Sequence, residues 1–320
     1  MLPSPSARVV QMQSICSKCN QPAVYLRQYT SESLCKSCLV KTTVERVRRN
    51  INKSQMLKED DRIVVGVSGG KDSATLLDTL FRIEKDFPQA ELIPVLIDEG
   101  IEGYRDKGLE TARQLTSSLG LELEIRTFKD LYGHTLDDII RLRPADSNGA
   151  CTYCGVLRRR ALNTAALELE ADVVATGHNM DDEAQTILMN VIRGDSQRIV
   201  RTNRPRDHSI KGFVPRVKPL SELSTRDTVV YAYHVGLPYH DIPCPYASEA
   251  LRNDLRLFLN EMEHKRPGTL LAILHSGETM SEAMEHQEGV SDATVCESCG
   301  EPASSRLCKV CAILQEIEGW

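Results

Sequence analysis

Arg62-Ile63-Val64-Val65-Gly66-Val67-Ser68-Gly69-Gly70-Lys71-Asp72-Ser73 is the stretch from which the fold is read. Ile63 to Val67 is a continuous apolar run, the pattern of a strand buried on both faces. After Ser73, residues Ala74, Leu76, Leu77, Leu80 and Phe81 recur at helical spacing. A glycine-rich turn therefore joins a strand to a helix N-terminus. Its glycines let backbone N–H groups approach an anion, and the helix dipole favours negative charge. Ser68 and Ser73 add hydroxyl donors and Lys71 a positive charge. The turn reads as a phosphate or pyrophosphate site. It is not a Walker A loop, because the G-x-x-x-x-G-K-[ST] spacing is absent.

The same alternation continues downstream. Leu92 to Ile97 reads as a strand ending at Asp98-Glu99-Gly100, and Leu109, Ala112, Leu115 and Leu119 mark a helix. Leu121, Leu123 and Ile125 alternate as a strand, and Leu157 to Leu169 is helical. Asp172 to Thr176 is a strand ending at Gly177-His178-Asn179, followed by a helix through Ala184, Ile187, Leu188 and Val191. Alternating strands and helices imply an α/β fold with a doubly wound parallel sheet. Ligands of such sheets bind beyond the carboxyl ends of the strands, where these three loops fall. Asp181 or Asp182 can cap the last helix or serve Mg²⁺ binding or acid–base chemistry. His178 can contact a nucleotide or be a structural histidine.

Length and composition fit this reading. The chain has 320 residues, 41% apolar and 26% charged, which suits about two soluble domains. Its net charge is −6, so any nucleic-acid contact must come from local patches. No apolar run of 18 residues suggests a membrane span. The first residues lack the apolar core of a secretory signal, so a cytoplasmic location is expected.

The 11 cysteines are more informative by position than by number. Cys16-x-x-Cys19 precedes Cys35-x-x-Cys38, and Cys296-x-x-Cys299 precedes Cys308-x-x-Cys311. Paired C-x-x-C knuckles supply the four thiolates of a closed tetrahedral Zn²⁺ site. A zinc ribbon is expected at each end, giving two Zn²⁺. Cys151 and Cys154, in a stretch from Ser147 to Gly155 that reads as a loop, and a lone Cys244 remain. Three thiolates can hold three irons of a [4Fe-4S] cluster and leave the fourth open. They can equally be a nucleophile with resolving thiols, and the spacing does not choose.

Ser68-Gly69-Gly70-Lys71-Asp72-Ser73 after a strand resembles the signature of the PP-loop ATP pyrophosphatases. With Cys151-Thr-Tyr-Cys154-Gly155, Thr176 to Glu183, Cys244 and two terminal cysteine sets, the chain is similar to tRNA 2-thiolation enzymes. These comprise the TtuA group and the archaeal and eukaryotic cytosolic wobble-uridine thiolases. The resemblance implies a PP-loop (adenine nucleotide alpha-hydrolase-like) domain that adenylates O2 of a tRNA uridine and replaces it with sulfur. It implies ATP held by Gly66, Val67, Ser68, Gly69, Gly70, Lys71, Asp72 and Ser73, with Ile97, Asp98, Gly177 and His178 at the adenosine. It further implies a [4Fe-4S] cluster on Cys151, Cys154 and Cys244. Asp182 would be the catalytic carboxylate with Asp181 beside it, and Mg²⁺ would balance the phosphates. Arg158 stands where T-loop-modifying members carry Lys, which points to the wobble group. Arg keeps the charge but cannot act as a base.

For tRNA, residues 193–218 hold eight Lys or Arg against Asp195 and Asp207. Arg159, Arg160, Arg193, Arg198, Arg201 and Arg204 are the expected contacts, and the Pro-containing stretch 202–219 reads as a mobile loop that orders on RNA. Lys41, Arg46, Arg48, Arg49 and Lys53 add to the basic surface. The expected organisation is a ribbon at 1–45, the catalytic domain at 46–275, an acidic linker or exposed helix at 276–294 and a second ribbon at 295–320. The resemblance suggests a homodimer. The sulfur donor, sulfide or a ubiquitin-like thiocarboxylate carrier, stays open. Three competing readings are a cluster-free cysteine persulfide at Cys154 or Cys244, another PP-loop enzyme such as an amide-forming synthetase or cytidine thiolase, and a non-catalytic RNA-binding ribbon protein.

Overall fold

Ile63, Val64 and Val65 are fully buried at the centre of strand β3 (Arg62–Gly66). They sit at the middle of a sheet because apolar side chains point to both of its faces. The computed structural model describes residues 14–202, 206, 212–247, 251–285, 294–303 and 305–318. β3 pairs in parallel with β4 (Glu91–Asp98) on one side and β6 (Val173–Ala175) on the other. β5 (Glu124–Thr127) extends the sheet beyond β4, and β7 (Arg216–Val217) beyond β6. All five strands are parallel, in the order β5-β4-β3-β6-β7.

Alternation along the strands builds two apolar layers. Val64, Val95, Ile97 and Val174 pack with Leu157, Ala161 and Ala165 of helix α6 (Ala150–Glu168). Ile63, Val65, Leu96 and Ala175 pack on the other face. Their partners are Leu76, Leu77 and Leu80 of α2 (Lys71–Glu84), Leu115 of α3 (Arg105–Leu119) and Val47 of α1 (Lys36–Lys53). Burying a side chain such as Leu76 or Leu80 stabilises by roughly 1.5–3 kcal/mol. The strand order reverses between β3 and β6, so the loops after these two strands open onto one crevice.

Several sequence expectations change. Strand β5 begins at Glu124, after Leu121 and Leu123, whose side chains still point inward. Cys151 and Cys154 stand in the first turn of α6, not in a loop, because Gly149 is already its N-cap. The boundary at 45 cuts α1, which starts at the second cysteine pair and runs into the core. The boundary at 276 cuts α11 (Thr269–Glu285). Residues 276–285 are thus the exposed helix of the two alternatives and no linker, anchored where Gly277 packs on α7 (Met180–Arg193), a Cβ there standing 2.6 Å from Ile187 Cδ1. Residues 286–293 lie outside the described ones. Among the described residues no helix is long and apolar enough to cross a membrane.

Each cysteine set is built into a small ribbon. β1 (Tyr25–Arg27) pairs antiparallel with β2 (Glu32–Leu34), and β8 (Thr294–Val295) with β9 (Pro302–Ala303). The C-terminal ribbon and α12 (Lys309–Glu318) pack onto α6. Tyr153 Oη donates to Glu316 Oε1 at 3.0 Å, and Arg160 pairs with Glu301 at 2.5 Å.

Candidate active site

The turn 68–73 is cross-braced by its own serines. The Ser68 N–H donates to Ser73 Oγ at 3.0 Å, and Ser73 Oγ donates to Gly70 O at 2.9 Å. Gly69 takes φ +83°, and a Cβ there would stand 2.3 Å from Gly108 O of α3. Only glycine satisfies both conditions. Across the crevice, a Cβ on Gly177 would meet the Ser73 backbone N at 3.0 Å, which explains glycine after β6. The first turn of α2 therefore presents its unpaired N–H groups toward the crevice, an anion seat by geometry and dipole.

Asp72 is held on three sides. Lys71 Nζ donates to its Oδ2 at 2.7 Å, and its Oδ1 accepts from Asn179 Nδ2 at 3.1 Å and Thr228 Oγ1 at 2.6 Å. Asn179 is the N-cap of α7, and Asp182 closes a reciprocal capping box with it. The expected cap at Asp181 or Asp182 is thus supplied by Asn179. Asp181 Oδ2 accepts from the Thr225 N–H at 2.8 Å, while Arg252 Nη1 reaches Asp182 Oδ1 at 3.4 Å. Burial raises both carboxyls above the usual range, and Arg252 opposes this at Asp182. Burial also holds His178 well below its ordinary value, with Arg216, Lys218 and Arg252 adding to the effect. The imidazole is therefore neutral near pH 7, with Nδ1 2.9 Å from Thr176 Oγ1.

At the end of β4, Asp98 Oδ1 accepts from the Gly100 N–H at 2.8 Å, and Ile97 is buried in the core layer under α6. Glu99 is buried between Arg105, with which it pairs, and Arg158, whose Nη1 lies 3.4 Å from Glu99 Oε1. Arg105 also donates to Ser68 O at 3.0 Å. These contacts connect the phosphate loop to the helix that carries Cys151 and Cys154.

Cys244 arrives on the segment after α9 (Thr225–Val235), pinned where the His240 N–H donates to Gly69 O at 3.0 Å. Cys154 and Cys244 pack against the same apolar layer, and Cys151 Sγ lies 3.7 Å from Tyr246 O. Burial pushes the Cys154 thiol up to about 11 against the pull of nearby Arg158. Cys154 thus stands within electrostatic reach of Cys244 and Arg158. Among the described residues, the mutual approach of sulfurs within 4.8 Å is confined to the terminal sets.

At each end the four cysteine sulfurs lie within 4.8 Å of one another. Cys19–Cys35 and Cys19–Cys38 are 3.4 and 3.5 Å apart, and Cys299–Cys308 3.7 Å. A Zn–S bond of 2.3 Å in a tetrahedron requires about 3.8 Å between sulfurs.

The basic tract is less available than its charge count suggests. Arg206 pairs with Asp61 at 2.5 Å, Lys218 with Glu183 at 2.5 Å and Arg198 with Asp195 at 2.9 Å. Arg216 belongs to β7, so the mobile loop expected across 202–219 does not reach that far. Arg160 is largely buried, paired with Glu301 and set over the Phe213 ring. On α1, Arg48 pairs with Asp86 and Lys53 with Glu222. Arg193 is exposed at the end of α7, whereas the side chains of Arg201 and Arg204 lie outside the described residues. Arg159 and Arg216 are exposed and form no ion pair among the described residues. Lost hydration lowers Arg159 to about 10, helped by Arg216, Arg158, Arg198 and Arg252. Arg216 was legible only as one charge of the basic tract, and Arg105, Thr228 and Arg252 carried no local sequence signal. Glu99 did, as a carboxylate at a strand's carboxyl end.

The chain matches the PP-loop domain family over residues 41–263. It is 36% identical to cytoplasmic tRNA 2-thiolation protein 1 of Schizosaccharomyces pombe, over 95% of this chain and 91% of that protein. It is 37% identical to the tRNA 2-thiolation protein NcsA of Haloferax volcanii, over 95% and 99%. Among solved structures, the U34-tRNA thiolase NcsA from Methanococcus maripaludis with its [4Fe-4S] cluster superposes with a TM-score of 0.81. That pair is 33% identical over 94% of this chain and 96% of the other.

Proposed function

We infer the reaction from kinship: this chain belongs to the PP-loop tRNA 2-thiolation family. It is a tRNA-uridine 2-sulfurtransferase acting at the wobble position, as its thiolase relatives' names describe. What supports the reading is the crevice, where the Ser68–Ser73 turn is joined through Arg105 and Glu99 to Arg158 on the helix that carries Cys151 and Cys154.

The uridine O2 attacks the α-phosphorus of ATP, and pyrophosphate leaves. Sulfide then attacks C2, the C2–O bond breaks, and AMP departs with that oxygen. The N–H groups at Gly69 to Lys71 and the α2 dipole hold the phosphates, with Lys71 oriented by Asp72. Both halves develop negative charge, which Arg158 stabilises without giving up a proton. Asp182, raised by burial and drawn back by Arg252, is the working carboxylate, and Mg²⁺ would be held by it and Asp181. A [4Fe-4S] cluster on Cys151, Cys154 and Cys244 would supply an iron position without a protein ligand, suited to a soft sulfur species. The sulfur enters as sulfide, supplied free or by a ubiquitin-like thiocarboxylate carrier. Zinc in the two ribbons has no spare coordination position and is structural.

For RNA, Arg159 and Arg216 of the expected basic set, joined by Arg252, are the cations of the crevice mouth. Replacing Arg216 with Gln weakens binding across all tRNAs and reduces the log–log salt slope by about 1, because one phosphate contact is lost. A titration series in salt checks this.

The decisive assay uses oxygen-free protein, ATP, sulfide and unmodified tRNA, followed by nucleoside analysis. 2-Thiouridine confined to the wobble position is expected. Metal analysis of the same preparation should give about two Zn, about four Fe and about four sulfides per chain. Thiolation from sulfide by protein that takes up neither iron nor acid-labile sulfide would remove the cluster from the reaction, and a persulfide route would instead require a donor that already carries sulfane sulfur.

A further inference from the structure

The N-terminal ribbon meets the core through buried charge. Arg27 on β1 and Asp227 on α9 are both fully buried, with Arg27 Nε donating to Asp227 Oδ1 at 2.8 Å. Tyr25 Oη at 3.1 Å and Tyr29 Oη at 2.6 Å donate to the same carboxylate. The Ser224 N–H and hydroxyl complete its shell at 3.0 and 2.7 Å. Coulomb attraction to Arg27 and these hydrogen bonds hold Asp227 below the usual range despite its burial. A buried pair of this kind costs desolvation and contributes less to stability than to fixing one geometry. Here it fixes where the ribbon stands on α9.

The neighbouring residue on α9 touches the site. Thr228 Oγ1 donates to Asp72 Oδ1 at 2.6 Å, and Thr228 O accepts from Thr75 Oγ1 at 3.3 Å. One turn later Tyr231 Oη donates to Asp78 Oδ2 at 2.5 Å. α9 is thus stapled to the first two turns of α2, the first of which is the phosphate seat. The Thr225 carbonyl at 2.9 Å competes for the same hydroxyl proton, but a carboxylate acceptor wins at the shorter distance.

We propose that Thr228 is a positioning residue for the phosphate loop, and that the N-terminal ribbon, locked to adjacent Asp227, sets the place from which Thr228 acts. The ribbon is then part of the nucleotide site's scaffold, whatever it does toward RNA. This rests on reading Ser68–Ser73 as the ATP loop.

The test measures ATP affinity directly, by equilibrium dialysis of the metal-loaded full chain with MgATP, alongside tRNA affinity. Thr228→Val should raise the ATP Kd about tenfold by taking from Asp72 Oδ1 the shorter of its two hydrogen bonds, leaving Asn179 alone to orient it. Thr228→Ser, which restores the hydroxyl, should stay within about twofold of the parent. Arg27→Met should raise the ATP Kd about fivefold or more while tRNA affinity changes less than about twofold. Should Arg27→Met not fold, Tyr29→Phe removes only one hydroxyl and should shift the ATP Kd in the same direction. ATP binding by Thr228→Val equal to the parent's would overturn the positioning role. Unchanged ATP affinity in Tyr29→Phe and in any folded Arg27→Met would overturn the ribbon's part. Equal loss of ATP and tRNA affinity would mark mere destabilisation and also overturn it. A parent chain that binds no ATP at all would instead sink the reading of the loop.

Discussion

With Cys154 changed to Ser, the protein folds, binds ATP and tRNA, and makes no detectable 2-thiouridine. The thiol is half-buried at the start of α6, where a hydroxyl of similar size fits without strain. Ser is a hard ligand and a poor substitute for a thiolate on iron or sulfur. Displacing the sulfur species by even about 1 Å from C2 costs roughly a hundredfold, and losing a ligand costs more. Cys151 and Cys244 should behave alike. Cys151 is exposed and Cys244 half-buried, so neither change opens a cavity. The check is anaerobic thiolation with each single variant, with ATP binding and far-UV dichroism as controls. Iron should fall in all three while zinc stays at about two per chain. Full activity in each single variant would remove the three thiols from the mechanism.

Gly69→Ala produces the second large effect, at the other end of the crevice. Its φ of +83° costs an L-residue about 1–3 kcal/mol. A methyl group would also press to 2.3 Å from Gly108 O, so the loop or α3 must move. Both respond by shifting the N–H groups that seat phosphate and the Gly69 carbonyl that holds His240. ATP affinity should fall at least about a hundredfold. Melting should drop by several degrees, about 2–4 °C per kcal/mol for a domain of this size. The control is Gly103→Ala, also at positive φ but with nothing within 4 Å of its added Cβ. It should lose stability only. Equal ATP affinity in both variants would mean that the phosphate loop tolerates what its geometry forbids.

The parts read correctly from sequence are those whose physics is local. Ile63 to Val67 runs into Ser68–Ser73 without a break, so strand, turn and helix dipole are written in consecutive residues. Each C-x-x-C pair is likewise a local device, and its two knuckles lie close enough in sequence to be paired by eye. The missed parts are those assembled across the chain. Thr228 acts on a carboxylate 156 positions away, and Arg105 on a carbonyl 37 away. Neither residue type announces such a partner. The basic tract failed for the same reason in reverse. Counting charges between 193 and 218 overlooks that Arg206 is answered by Asp61, 145 positions earlier. Cys151 and Cys154 were placed in a loop because Gly149 reads as a turn residue, whereas it serves as a helix cap.

The cysteine pattern divides the chain into interchangeable pieces, but the interior does not respect that division. Cys296, Cys308, Cys311, Ile313 and Ile317 share one continuous apolar layer with Tyr153, Leu157 and the central strands. The C-terminal ribbon is therefore a wall of the same room that holds the thiols, fastened by Glu316 and Glu301 to α6. A ribbon borrowed from a relative would have to bring the matching face of that helix with it. Substitutions on the outer side of α6 and inside the ribbon should then be inherited in pairs, and the portable unit is the helix and ribbon together.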